Sequence, residues 1–331
     1  MDKKRNLKYD ILKVIALFCI ILAHVNPNGF IFQLRNFDVP LMIIISVWLS
    51  ISLTERRSFN YKKYIFKRIK RLVIPTWSFL TIYFILNFIW GNVFSMKTIF
   101  LSYSLISGIG YVRVIRIYLY IAILAPILYY LINKVSRKYI IIFMVLEYII
   151  YIFLIRLSFH LSGALNVIFT ATFLDFIGYS FIIFIAIFTY KINRKNSLLL
   201  SVIFMVCFFI LMINYNFEPT QNFKYPLRIY YLTYAFSIIY LLNFLLDFIN
   251  NKFRIKENKF ILYISKNSMW IYLWHILYIS KVNTMFINLH LGCCFRFIII
   301  ILLAIITTSI QNEFLKYFKK FVLKRIYKNN F

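Results

Sequence analysis

The sequence predicts an all-α integral membrane protein built as a bundle of about ten transmembrane helices, and three observations point there. Of its 331 residues, 62% are apolar and 21% aromatic, and the mean hydropathy of +0.78 lies outside the range of water-soluble domains. The apolar residues are gathered into runs near the ~20 residues that a helix needs to cross a ~30 Å hydrocarbon core. The charge lies between those runs. With 39 Lys and Arg against 10 acidic residues, the chain carries +29, a balance that would suit nucleic acid if the cations formed a soluble module. They do not, so the expected partners include anionic membrane lipids and no nucleic acid.

The runs, in order, are Tyr9 to Val25, Val39 to Leu53, Leu72 to Ile89, Val114 to Ile132, Tyr139 to Ile155, Leu165 to Tyr190, Leu198 to Ile213, Leu227 to Ile249, Phe260 to Ile279 and Phe295 to Ile310. The second is short and the sixth long, and Ser95 to Arg113 has the length of a partial or re-entrant segment. Ten crossings put both termini on one side. That side collects the clusters at Lys3 to Lys8, Arg56 to Arg71, Lys134 to Lys138, Lys191 to Lys195, Lys252 to Lys266 and Lys316 to Lys328, roughly three quarters of the Lys and Arg, which makes it cytoplasmic. The other side holds Arg35, Lys97, Arg113, Arg116, Arg156, Lys224, Arg228, Lys281 and Arg296.

The first run lacks a small-residue cleavage site and carries Asp10, Lys13 and His24, so it is expected to stay as a helix of the inner membrane. Residues 1–331 form one domain. Its tail, 313–331, sets Phe314, Phe318, Phe321 and Val322 on one face among lysines, the pattern of a helix at the cytoplasmic membrane surface. Cys19, Cys207, Cys293 and Cys294 form no CxxC pair and have no His at ligand spacing, so neither a disulfide framework nor a metal site is expected.

Ionisable residues inside membrane helices are costly and mark candidate sites. Lys13 and His24 are eleven residues apart, which on a helix is within ~20° of one direction and ~16 Å along the axis. Asp10 precedes Lys13 by three and joins the stripe. Interfacial snorkelling explains Asp10 and Lys13 as readily as chemistry does. Arg68 and Arg71 share a face where the third run begins; guanidinium pairs clamp phosphate, and lipid anchoring is the plainer alternative. His275 lies in the ninth run, where a buried, hydrogen-bonded His is the plain expectation. Glu147, Asp175 and Asp247 lie in or near the runs, and pairing with a neighbouring helix or a helix-end position explains them as well as chemistry does. His160 and His290 fall in loops, and Gly108-Ile-Gly110 lacks the strand and the Lys of a phosphate loop.

Four blocks, in order, carry a resemblance. They are Asn6-Leu-Lys-Tyr-Asp-Ile-Leu-Lys13, then ten residues and His24; Phe37-Asp-Val-Pro-Leu41 through Ser46; Arg68-Ile-Lys-Arg71 with Leu-Val-Ile-Pro75; and Ser265-Lys-Asn-Ser-Met-Trp-Ile-Tyr-Leu-Trp-His275. Together they resemble the acyltransferase family 3 membrane proteins, bacterial O-acyltransferases that decorate surface polysaccharides. Lys13 stands where many members have Arg, Val47 where a Gly is expected after Ser46, and Arg116-Ile-Tyr-Leu-Tyr120 matches only loosely.

The resemblance implies transfer of an acyl group, most often acetyl, from cytoplasmic acyl-coenzyme A to a hydroxyl of a glycan or lipid-linked saccharide at the outer face, with no permanently bound cofactor. It implies His24 as general base or as the site of a transient acyl-His, with Lys13 and Asp10 helping. It further implies coenzyme A phosphate binding by Arg68 and Arg71, and leaves His275 and Ser46 as acceptor or acyl-site candidates. A polysaccharide transporter, flippase or polymerase is the competing class; it predicts charge spread along several helices. Outer aromatics such as Trp90, Tyr103, Tyr111 and Tyr230 are candidates for stacking on sugar rings.

Overall fold

The computed structural model describes residues 6–56, 58–288 and 292–328. Thirteen α-helices follow one another: α1 (Leu7–Ala23), α2 (Gly29–Leu34), α3 (Asp38–Thr54), α4 (Tyr61–Ile89), α5 (Met96–Tyr103), α6 (Val112–Ile132), α7 (Arg137–Ser158), α8 (Gly163–Phe169), α9 (Asp175–Phe188), α10 (Arg194–Asn214), α11 (Ile229–Phe253), α12 (Lys259–Asn288) and α13 (Cys293–Lys328). No strand occurs among the described residues. A five-residue π turn, Thr170–Leu174, joins α8 to α9.

Each of the ten apolar runs is helical over all but at most two end residues. Eight stretches are long and apolar enough to cross a membrane: α2 with α3, α4, α6, α7, α8 through α9, α10, α11 and α13. The other two runs form α1 and α12. With 17 residues, α1 spans only about 25 Å, and the apolar run of α12 is broken by Ser265, Lys266, Asn267, Ser268 and His275. The protein is thus an all-α, multi-pass membrane bundle. α1, α3, α6, α9, α11 and α12 surround the core, whereas α7 and α10 turn long rows of apolar side chains outward, as helices facing lipid do. Arg56, Arg68, Arg71, Lys191 and Lys266 lie at one end of the bundle, which also holds the start of α1; this is called the basic end.

The stretch after α4 turns back into the bundle. Trp77 donates its Nε1–H to the Tyr103 carbonyl at 2.9 Å, and Thr81 lies 2.7 Å from the Tyr103 hydroxyl. These α4 residues lie eight and twelve positions before its end, ~12–18 Å below it. The return is tight at Gly108, whose φ is +79° and where a Cβ would stand 2.1 Å from Ser102 Oγ. Only glycine fits there.

Arg116 holds this re-entrant turn by donating to the Leu105 carbonyl at 2.8 Å and to the Ile106 carbonyl. Asp175, at the first turn of α9, accepts from Arg116 at 2.5 Å and from Arg113 Nε at 3.0 Å. The other acidic residues within helices are also partnered: Asp247 accepts from Lys8 at 2.8 Å, and Glu147 accepts from Ser180. Cys19, Cys207, Cys293 and Cys294 are free thiols. His290 lies outside the described residues. Of the tail, 313–320 continues α13 as an exposed helix.

Removing Asp175 strands the buried Arg116 and the half-buried Arg113. Asp175→Asn is expected to lower stability by about 3 kcal/mol or more, read as a fall in the thermal unfolding midpoint in detergent. Arg113→Gln leaves Asp175 paired with Arg116 and is expected to cost distinctly less.

Candidate active site

The site is organised by two helices that run side by side in the same direction. Lys13 of α1 donates its ammonium to the Ser265 carbonyl of α12 at 2.8 Å. Ser265 returns its own hydroxyl to Asp10 at 2.5 Å. Further along, the rings of His24 and His275 lie 5.6 Å apart, centroid to centroid. The two contacts are eleven residues apart on α1 and ten on α12, ~16 and ~15 Å of rise. The helices are therefore parallel and in register, and the stripe of Asp10, Lys13 and His24 faces α12 rather than lipid.

His275 is wholly buried. Its Nδ1 meets the Tyr272 carbonyl, so Nδ1 carries the proton and Nε2 is left as an acceptor. That Nε2 has no hydrogen-bond partner among the described residues. A buried acceptor without a donor is uncommon and calls for a ligand or a water. The Tyr111 ring stands edge-on to His24 at 5.0 Å and to His275 at 6.3 Å. Tyr111 is fixed in turn by the Tyr272 hydroxyl, which donates to its carbonyl at 2.8 Å.

A cavity of about 690 Å³ opens at the basic end. This volume is within the range of small-molecule and cofactor pockets. Arg56, Arg68, Arg71, Lys191 and Lys266 line its mouth, Asp10 and Lys13 its wall, and Ile20, Met42, Ser46, Tyr118 and Tyr272 its inner end. Arg68 is half-buried and lies 5.3 Å over the Tyr64 ring, while Arg71 is exposed. Asn60 caps α4 by accepting from the Lys63 amide at 2.9 Å, so the helix presents both arginines on one face one turn apart. Ser46 Oγ donates to the Met42 carbonyl at 2.8 Å.

Five of the seven residues singled out from sequence, Asp10, Lys13, Ser46, Arg68 and Arg71, therefore meet in one cavity. His24 and His275 stand together beyond its inner end, and Tyr272 touches both places. Tyr272 was not singled out by the sequence, although it sits three residues before His275 on the same helix face.

A second group also went unrecognised. Asp38, at the first turn of α3, is buried between Arg35, which donates at 2.8 Å, and Lys224, at 2.9 Å. Lys224 also reaches Asn36 at 3.2 Å, and Asn36 donates to Thr220 at 2.8 Å. Among the described residues, no group of three or more His, Cys, Asp or Glu is placed to hold a metal ion.

The family model of acyltransferase family 3, described as an acyltransferase domain, matches residues 6–310. No curated protein and no solved structure matches the chain.

The clasp between α1 and α12 is testable on its own. A double-mutant cycle of Asp10→Ala and Ser265→Ala is expected to give a coupling energy of about 1–2 kcal/mol in thermal unfolding, since the bond joins a buried carboxylate to a hydroxyl.

Proposed function

The chain belongs to acyltransferase family 3, and we propose on that premise that it moves an acetyl group from acyl-coenzyme A to a hydroxyl of a surface glycan or lipid-linked saccharide. In this reading it is a bacterial inner-membrane protein with both termini cytoplasmic. The donor enters the basic cavity and the acceptor comes to the histidines from the other end. The observation that carries the proposal is the cavity that leads from a cationic mouth, past Lys13, to Tyr272, whose ring stands 5.0 Å from that of His275.

Coenzyme A presents a pyrophosphate and a further phosphate, which suit Arg68, Arg71 and their cationic neighbours. Its thioester-bearing arm is long and thin, and fits a cavity that reaches inward along α1 from Asn6 to Ile20. Ser46 stands at the inner end, where the acyl group arrives.

An imidazole suits the transfer because its pKa lies near neutrality, so it both accepts and returns a proton. His24 takes the proton of the acceptor hydroxyl as its oxygen bonds to the thioester carbonyl carbon. The carbon–sulfur bond then breaks, and the leaving thiolate takes the proton back from His24, giving an ester and free coenzyme A. His275 offers its Nε2 as a hydrogen-bond acceptor to a neighbouring hydroxyl of the saccharide, which orients the one that reacts. Lys13, held by the Ser265 carbonyl and next to Asp10, places positive charge along the donor's path.

Two measurements test this. Ester-linked acetate on the host's surface glycans is expected to disappear equally when the gene is deleted and when His24→Ala is expressed at the wild-type level, a loss of at least about 100-fold. Unchanged acetate with altered glycan length or export would overturn the proposal in favour of a transporter or polymerase. With protein in nanodiscs, Arg68→Gln with Arg71→Gln is expected to raise the KM for acetyl-coenzyme A about tenfold or more, with kcat within about threefold, because both residues hold the part of the donor that does not react.

A further inference from the structure

Two buried charge clusters at the end away from the cavity share an excess of positive charge. Asp38 is paired with both Arg35 and Lys224, and Asp175 with both Arg113 and Arg116. Four cations thus face two carboxylates. Arg35, Lys224 and Arg116 are all more than nine-tenths buried. Three of their donor nitrogens, Nε and Nη2 of Arg35 and Nε of Arg116, are buried without an acceptor among the described residues. Surplus charge with unused donors is costly in a medium that solvates ions poorly, and an anion offsets it.

The clusters converge on one ring. The Arg113 guanidinium stands 4.0 Å over the centroid of Tyr225, and the Lys224 ammonium is 5.8 Å from it. The Tyr225 ring is 44% exposed. The same region borders the histidines: Tyr111, two residues before Arg113, holds its ring 5.0 Å from that of His24.

We infer that Tyr225, Arg113 and the Arg35–Lys224 pair form a subsite for an anionic saccharide, a sugar carrying a carboxylate or a phosphate close to the hydroxyl that is acylated. The C–H face of a pyranose packs on the tyrosine ring, and the acidic group takes the unused guanidinium donors. The inference rests on the proposal that the acceptor arrives at this end, and it deepens that proposal by naming the acceptor's charge.

The test reads binding, not transfer. The protein is placed in phosphatidylcholine nanodiscs with Arg68→Gln and Arg71→Gln, so that the phosphate probe does not report on the donor cavity. Saturation-transfer NMR is recorded for glucuronate, glucose 1-phosphate and neutral methyl glucoside. Signal is expected from at least one anionic sugar and not from the neutral one; which of the two responds separates carboxylate from phosphate. Arg113→Gln and Tyr225→Ala are each expected to weaken it about tenfold or more, whereas Tyr225→Phe retains it and the unfolding midpoints show each variant folded.

Equal signal from methyl glucoside, no signal from either anionic sugar, or binding indifferent to both substitutions would overturn the inference. So would loss of the signal when phosphatidylglycerol replaces phosphatidylcholine, because the occupant would then be a lipid headgroup. Sugar binding without any acyl transfer in the unsubstituted protein would leave the subsite standing and refute the proposed function.

Discussion

An ionisable side chain inside a membrane bundle has to be held by another polar group, because neither lipid nor packed apolar side chains solvate it. In this chain the requirement fixes α1 to α12. Lys13 and Asp10 are satisfied by the carbonyl and the hydroxyl of a single residue, Ser265. That double attachment sets the register of two parallel helices. Once it is set, the rise per residue brings His24 to His275 without further adjustment. The same constraint shapes the opposite end, where Asp175 and Asp38 each gather two cations and in doing so tie the re-entrant turn, α9, α3 and the segment before α11 together.

The consequence is a division of labour along the bundle axis. The basic end offers a cavity with a cationic mouth, and the other end offers histidines, aromatic rings and surplus positive charge. Tyr272 stands between them, with its side chain lining the cavity, its carbonyl on His275 and its hydroxyl on the Tyr111 backbone. Tyr272, Tyr118 and Ser46 close the cavity's inner end, and the Tyr272 ring stands 5.0 Å from that of His275.

Much of the architecture was legible in the sequence because hydropathy and charge are read locally. All ten apolar runs are helical, and the stripe of Asp10, Lys13 and His24 follows from helical spacing alone. What was not legible depends on distant partners. Asp38 meets Lys224 across 186 positions, and nothing in the short apolar run that follows it announces a buried ion cluster. Of the ten crossings expected, eight are helices long and apolar enough to span a membrane; α1 is short, and α12 carries Ser265, Lys266, Asn267, Ser268 and His275 within its apolar run. Tyr272 was hidden in a motif whose histidine drew attention first, and the fixing of the His275 ring by a carbonyl one helical turn earlier is the signal that could have found it.

The central claim is that donor and acceptor meet from opposite ends of the bundle. It is tested most directly in sealed vesicles carrying the protein in one orientation, with radiolabelled acetyl-coenzyme A supplied on one side and a hydroxyl-bearing glycan acceptor on the other. The account predicts label in ester linkage on the acceptor when coenzyme A is given to the basic end and the glycan to the opposite end, and none when the two are exchanged. Transfer only when both substrates share one compartment would contradict it.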